Sequence, residues 1–70
     1  MLILTFANTR AVIQAERELK EVKISYQVIP TPRHISSECG MCLKIACDKI
    51  DQAREVLNSK NIRVLNTYES

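Results

Sequence analysis

The sequence predicts an α+β domain with the ferredoxin-like βαββαβ arrangement, a two-layer sandwich of two helices on one face of a four-stranded antiparallel sheet. Two stretches carry apolar residues at helical spacing. Four short stretches, continuously apolar or alternating, surround them in the order strand, helix, strand, strand, helix, strand. Two amphipathic helices on one sheet face bury a core between two layers. With 70 residues the chain is expected to be a single domain, 1–70, without a linker.

The first strand and helix are predicted from the N-terminal third of the chain. Residues 1–6 carry no charge, which is typical of a short buried strand. Asn8 or Thr9 offers a side-chain oxygen that caps the first free amides of a helix. Between residues 10 and 23 the apolar residues recur at intervals of three or four, which places them on one helical face. They are Val12, Ala15, Leu19 and Val22.

Two further strands are predicted around the middle of the chain. Residues 24–29 alternate and precede Pro30 and Pro32, which end a strand because proline has no amide to donate. Residues 41–47 alternate again, and successive side chains of a strand point to opposite faces. This register turns Met41, Leu43, Ile45 and Cys47 towards the helices and Cys42 and Lys44 away from them.

The last helix and strand complete the pattern. Asp48 is the expected cap of a helix that runs to about Lys60, and residues 62–67 make the last strand, with 68–70 fraying. The apolar stripe of this helix is Ile50, Ala53, Val56 and Leu57. The core is predicted to contain Leu19, Leu43, Ile45, Val56 and Val64. The opposite sheet face, with Ile3, Thr5, Cys42 and Lys44, is mixed and open to solvent or to a partner, and for so small a domain we expect a homodimer or a larger complex.

Composition excludes several classes of function. The chain has 10 basic and 8 acidic residues spread along its length, and three aromatic residues (two Tyr and one Phe). A nucleic-acid surface needs concentrated basic charge and stacking groups, so we expect no nucleic-acid partner. No apolar run reaches the roughly 18–20 residues of a transmembrane helix, and the first residues lack a charged leader. We therefore expect a cytoplasmic protein with no membrane partner and with reduced thiols.

The stretch 30–42 is the candidate functional segment. It holds both prolines, the only glycine, the only histidine and two of the three cysteines. Cys39 precedes Gly40, whose backbone tolerates positive φ and the close approach of a ligand or partner. Nearby cations, here Arg33 and His34, lower the pKa of a cysteine, and the thiolate is the reactive form. Cys39 is thus the predicted reactive thiol on an exposed loop; the alternative is a turn with a buried, inert cysteine.

Cys39 and Cys42 also form a CxxC pair, which suits a dithiol redox centre or half of a metal site. A structural zinc site needs about four ligands, and the chain offers these two, His34 and Cys47. Because Cys47 is predicted to face the core, zinc within one chain is disfavoured. A site shared across a dimer, or a two-thiolate Cu(I) site, stays open. A thioredoxin-like motif starts a helix, whereas this pair leads into a strand.

The loop resembles the signature of the small bacterial family of putative selenium/sulfur carrier-like proteins. The residues that carry the resemblance are PTPR at 30–33, ISS at 35–37 and CG at 39–40. The first helix adds the matching residues Ala11, Glu16 and Leu19. The resemblance covers essentially the whole chain. Two positions depart from the family: His34 stands where an acidic residue is common, and Cys42 lies outside the signature.

The resemblance implies a carrier that holds sulfur or selenium on Cys39 as a persulfide or selenosulfide and passes it between a donor and an acceptor protein. Cys42 is then a candidate resolving thiol, which would release sulfide and leave a disulfide with Cys39. A carrier is not an enzyme and needs no cofactor. Two alternatives stand beside it: a metal-binding or dithiol redox module on the Cys39/Cys42 pair, and a non-catalytic interaction domain. For alkylation we expect Cys39 to react before Cys42, and Cys47 to resist.

Overall fold

The computed structural model describes residues 1–34 and 40–69, and it has the predicted element order. A 3₁₀ turn, Cys47–Lys49, precedes the second helix. The elements are β1 (Leu2–Phe6), α1 (Thr9–Glu21), β2 (Gln27–Pro30), β3 (Met41–Ile45), α2 (Ile50–Ser59) and β4 (Val64–Glu69). Neighbouring strands are antiparallel in the order β2-β3-β1-β4, so the α+β, ferredoxin-like prediction is confirmed.

The main core lies between the sheet and the two helices, and its members come from both helices and from the helix-facing side of the sheet. Leu19, Leu43 and Ile45 are fully buried there, as predicted. Val56 and Val64 are only half-buried. In α2 the inward positions are Ile50, Ala53 and Leu57, which leaves Val56 on the flank of the helix. The other members of the core are Leu4, Phe6, Val12, Ala15, Ile24 and Ile62.

Helix α1 starts where the sequence predicts. The side chain of Asn8 accepts a hydrogen bond from the amide of Ala11 at 2.9 Å, which satisfies one of the free amides of the first turn. Asp48 does not play this part for α2. The cap residue of α2 is Lys49, which makes no side-chain capping bond, and Asp48 belongs to the preceding 3₁₀ turn.

Both helices end in the same way, and neither end uses glycine. Lys23 and Asn61 adopt left-handed backbone with φ of 60° and 59°. The amide of the residue that follows each reaches back to the helix: Ile24 donates to the carbonyl of Leu19 at 3.0 Å, and Ile62 donates to that of Leu57 at 2.9 Å. This is the Schellman pattern, in which an apolar residue after the left-handed one packs back on the helix. Ile24 and Ile62 are accordingly buried.

Strands β2 and β4 have boundaries that differ from the predicted ones. Strand β2 starts at Gln27 rather than residue 24 because Ile24 closes α1, and it includes Pro30, which an outer strand tolerates. Strand β4 starts at Val64 and continues through Tyr68 and Glu69. These two residues pair with Ile3 and Leu2 instead of fraying.

Strand β3 is shorter than predicted, and this overturns the assignment of Cys47 to the core. The strand ends at Ile45, because its pairing with β1 stops at Leu2 and its pairing with β2 stops at Gln27, the first residues of those two strands. Cys47 lies in the 3₁₀ turn and is exposed. Met41 is 39% exposed, so its predicted place in the core is wrong as well. The apolar alternation continues in the sequence beyond the point where the sheet stops.

Candidate functional site

The two ends of the candidate loop are joined by backbone pairing, which we call the base of the loop. Pro30 and Met41 are the last pair of the β2–β3 ladder. One step beyond them, the amide of Thr31 donates to the carbonyl of Gly40 at 3.0 Å. The chain therefore leaves the sheet after Thr31 and returns to it at Gly40.

The described part of this loop is on the surface. Arg33, His34 and Gly40 are exposed. Cys39 falls within 35–39, outside the described residues, so its predicted exposure and reactivity stay predictions.

Gly40 is expected to tolerate positive φ and to allow the close approach of a ligand or partner. Its φ is not positive, so the backbone there does not require glycine. A Cβ built at this position meets no atom within 4 Å, which means that the space beside the backbone is open. This empty space is defined by residues 1–34 and 40–69, and the approach of a ligand or partner at Gly40 stays a prediction.

Cys42 faces away from the helices, as predicted, but it is fully buried. It packs with Ile3, and the half-buried Ile29 and Tyr68 lie against the pair. Its sulfur is 3.2 Å from the hydroxyl oxygen of Thr31, a contact in which either group can donate. We call this group of residues (Ile3, Ile29, Cys42 and Tyr68) the open-face cluster.

Thr31 is the site residue that sequence analysis missed. It lies within the 30–33 motif, between two prolines, and no chemistry was assigned to it. Its amide holds Gly40 and its hydroxyl contacts Cys42, so one residue joins the loop base to the buried thiol. The signal that could have found it is its hydroxyl directly after a strand, since threonine side chains in such places bond to neighbouring groups.

The two described thiols have the reverse of the expected accessibility. Cys47, expected to resist modification, is exposed, and Cys42, expected to react before it, has no exposed surface. Both are free thiols. For metal binding, residues 1–34 and 40–69 contain no group of three or more His, Cys, Asp or Glu side chains arranged to hold an ion. The zinc and Cu(I) options that depend on Cys39 involve a residue outside these ranges.

The comparison with known protein families decides the family. Residues 1–69 match the family described as "Putative Se/S carrier protein-like". The chain belongs to this family. No curated protein and no solved structure matches it. None of the helices in the described ranges is both long and apolar enough to cross a membrane.

Proposed function

We propose that this Se/S carrier-like protein accepts a sulfur or selenium atom on Cys39 and delivers it to a partner protein, acting as a carrier and not as an enzyme. The observation that carries the proposal is the family membership over residues 1–69, together with a loop whose base is fixed and whose surface is open at Gly40. A carrier needs an accessible thiol on a loop and a surface for its partners, and it needs no enclosed substrate pocket.

Loading is a transfer between two sulfur atoms. The Cys39 thiolate attacks the outer sulfur of a persulfide on the donor protein. The new S–S bond forms as the donor's S–S bond breaks, and the electron pair leaves with the donor cysteine as its thiolate. Cys39 then carries the persulfide, and no external oxidant or reductant is consumed. With selenium as the outer atom, the product is a selenosulfide formed by the same exchange.

Arg33 and His34 are the candidate groups that favour the reactive thiolate. Both are exposed and lie on the same loop as Cys39. The guanidinium of Arg33 is always charged, and a cation near a thiolate stabilises it by direct attraction. His34 adds to this attraction when it is protonated.

Cys42 is the candidate resolving thiol, and its burial sets a condition on that role. Its thiolate would attack the inner sulfur of the loaded Cys39, form the Cys39–Cys42 disulfide and expel sulfide. A fully buried sulfur in contact with Thr31 must first be uncovered at the start of β3. We propose that this shielding keeps the loaded carrier from discharging itself before it meets its acceptor.

The partners we propose are a donor and an acceptor protein, and self-association is a separate question. The expected homodimer or larger complex relied on the small size of the domain and on a mixed open sheet face that carries Ile3. Ile3 is only 4% exposed, so the monomer itself covers this side chain. Sedimentation equilibrium at high micromolar concentration tests the homodimer, and a monomer there rejects it.

The test of the carrier is mass analysis of intact protein purified without oxygen and incubated with a cysteine desulfurase and cysteine, or with selenocysteine for selenium. We expect a gain of one sulfur or one selenium atom, lost in Cys39→Ser and kept in Cys47→Ser. Loading of the Cys39→Ser variant would reject the assigned acceptor. An unloaded wild-type chain that holds metal through Cys39 and Cys42 would favour the metal-binding module instead.

Gly40 offers a second test, aimed at the approach of the donor. Gly40→Ala should leave stability nearly unchanged because the added methyl meets no atom within 4 Å. If the donor protein approaches at this point, the variant should load more slowly from the desulfurase but normally from glutathione persulfide, which is small. Equal rates from the desulfurase in both proteins would show that the donor docks elsewhere.

A further inference from the structure

We propose that the cleft between α2 and β4 binds an extended acidic segment of a partner protein, which adds a fifth strand to the sheet along β4. The cleft has a volume of about 720 Å³. One wall is the flank of α2, with Arg54, Glu55 and Asn58, and the other is the stretch 62–67. None of the described residues of the candidate loop lines this cleft, and its use goes beyond the carrier function.

The backbone of β4 is available for pairing on its outer side. β4 is an outer strand whose partner is β1. Asn66 directs both its amide and its carbonyl to the hydroxyl of Thr5 in β1, at 3.1 and 3.3 Å. Because backbone groups alternate in direction along a strand, those of the next residue, Thr67, face the free side. Unpaired groups of this kind are what an added strand binds.

The other outer strand is a much poorer template. β2 has four residues and ends in Pro30, which has no amide to donate. Pro32 follows shortly after it, at the start of the candidate loop. Of the two sheet edges, β4 is therefore the one suited to strand addition.

The charge of the cleft determines the kind of segment. Two arginines, Arg54 and Arg63, line it against one carboxylate, that of Glu55. The guanidinium of Arg54 donates to the hydroxyl of Thr67, which holds it against the outer strand β4. A planar guanidinium binds carboxylates with two parallel hydrogen bonds. A strand laid along β4 would thus be favoured by acidic side chains on the side that faces α2.

An apolar contact is available in the same cleft. Leu65 is 37% exposed, and it lies where the pairing of β1 with β4 shifts register. In a strand the side chains alternate between faces, so every second side chain of the added segment faces this cleft and can be acidic, while the apolar ones between them lie on the other face of the sheet.

The test uses two synthetic peptides and the whole chain labelled with ¹⁵N. One peptide is acetyl-Thr-Val-Glu-Val-Glu-Val-Thr-amide, and the other has lysine in place of both glutamates. We expect saturable shifts of the Leu65 and Thr67 amides with the acidic peptide and at least about fivefold weaker binding of the basic one. Arg54→Gln and Arg63→Gln should each weaken the acidic peptide severalfold. Arg17→Gln, a change at an exposed position of α1, should leave its affinity unchanged.

Several results would overturn the proposal. Equal affinity for the two peptides, no saturable shift at millimolar concentration, or shifts confined to β2 would each do so. A dimer in sedimentation that is lost in Thr67→Pro would show that a second copy of the chain occupies the edge instead. Cys39→Ser should bind the acidic peptide as the wild type does, so failure here is distinguishable from failure of the carrier proposal.

Discussion

Leu43 and Cys42 are neighbours in β3, and both are fully buried, yet they are buried in different ways. Leu43 lies in the main core, under residues of both helices. Cys42 lies on the other sheet face, clustered with Ile3 and Ile29 of the two adjacent strands and with Tyr68 of β4, and Thr31 contacts its sulfur. One residue is covered by a second layer and the other by its neighbours within the sheet. Equal exposure therefore does not mean an equal contribution to the free energy of unfolding, or equal resistance to local opening.

The largest expected effect is on the helix-covered side. Leu43→Ala should lower the free energy of unfolding by about 2–5 kcal/mol, because it removes buried methyl groups from a core that relaxes only in part. That is a large share of the stability of a small domain. Urea unfolding followed by circular dichroism measures it. Ile13→Ala, at a residue of α1 that is 52% exposed, is the control and should change stability by no more than about 0.5 kcal/mol.

A smaller effect is expected on the open face. Ile3→Ala should cost about 2 kcal/mol, the lower end for such a truncation, because side chains that are not held between two layers can close over the gap. The same unfolding experiment measures it beside Leu43→Ala. A cost equal to or larger than that of Leu43→Ala would contradict the comparison and show that the open face is as tightly covered as the core.

The alkylation rates of Cys42 and Cys47 test how well each thiol is shielded from solvent. In a Cys39→Ser background, iodoacetamide should alkylate the exposed Cys47 at least about tenfold faster than Cys42, a difference of about 1.4 kcal/mol in barrier. Peptide mapping by mass spectrometry at a series of times gives both rates, and unfolded protein gives the intrinsic ones. Similar native rates would mean that the open-face cluster opens easily, and the shielding proposed for the loaded carrier would then fail.

The smallest expected effect belongs to the contact that joins the cluster to the loop. Thr31→Val keeps the shape of the side chain and removes its hydroxyl, which should cost about 0.5–1.5 kcal/mol. It should also speed the alkylation of Cys42, whose sulfur loses its 3.2 Å partner, while that of Cys47 stays the same. Thr9→Val, at an exposed position at the start of α1, is the matched control. Unchanged Cys42 reactivity would show that the hydroxyl does not hold the thiol in place.

The sequence was sufficient for the fold because helical and strand periodicities are local. Leu19, Leu43 and Ile45 were recognised as core residues by their spacing, and Cys42 was placed on the correct face. The end of β3 was not predictable from the residues of that strand, since it depends on where β1 begins. That dependence is what removed Cys47 from the strand.

For the site, composition located the segment but not its contacts. The concentration of rare residue types at 30–42 identified the loop, and Arg33 and His34 were expected at its surface, where they lie. The burial of Cys42 and its contact with Thr31 depend on side chains from three other parts of the chain. No spacing rule relates these residues, so only the folded structure brings them together.

The position of the one glycine does not coincide with the left-handed positions of the backbone. At the two places where the backbone is left-handed, the chain uses Lys23 and Asn61, although glycine would remove a conformational cost of about 1–2 kcal/mol. Its only glycine, Gly40, is at a position where φ is not positive. Left-handed backbone is thus carried at both helix ends by residues that have a side chain, Lys23 and Asn61. The one glycine of the chain stands instead at the base of the candidate loop, where a side chain would meet none of the described residues within 4 Å.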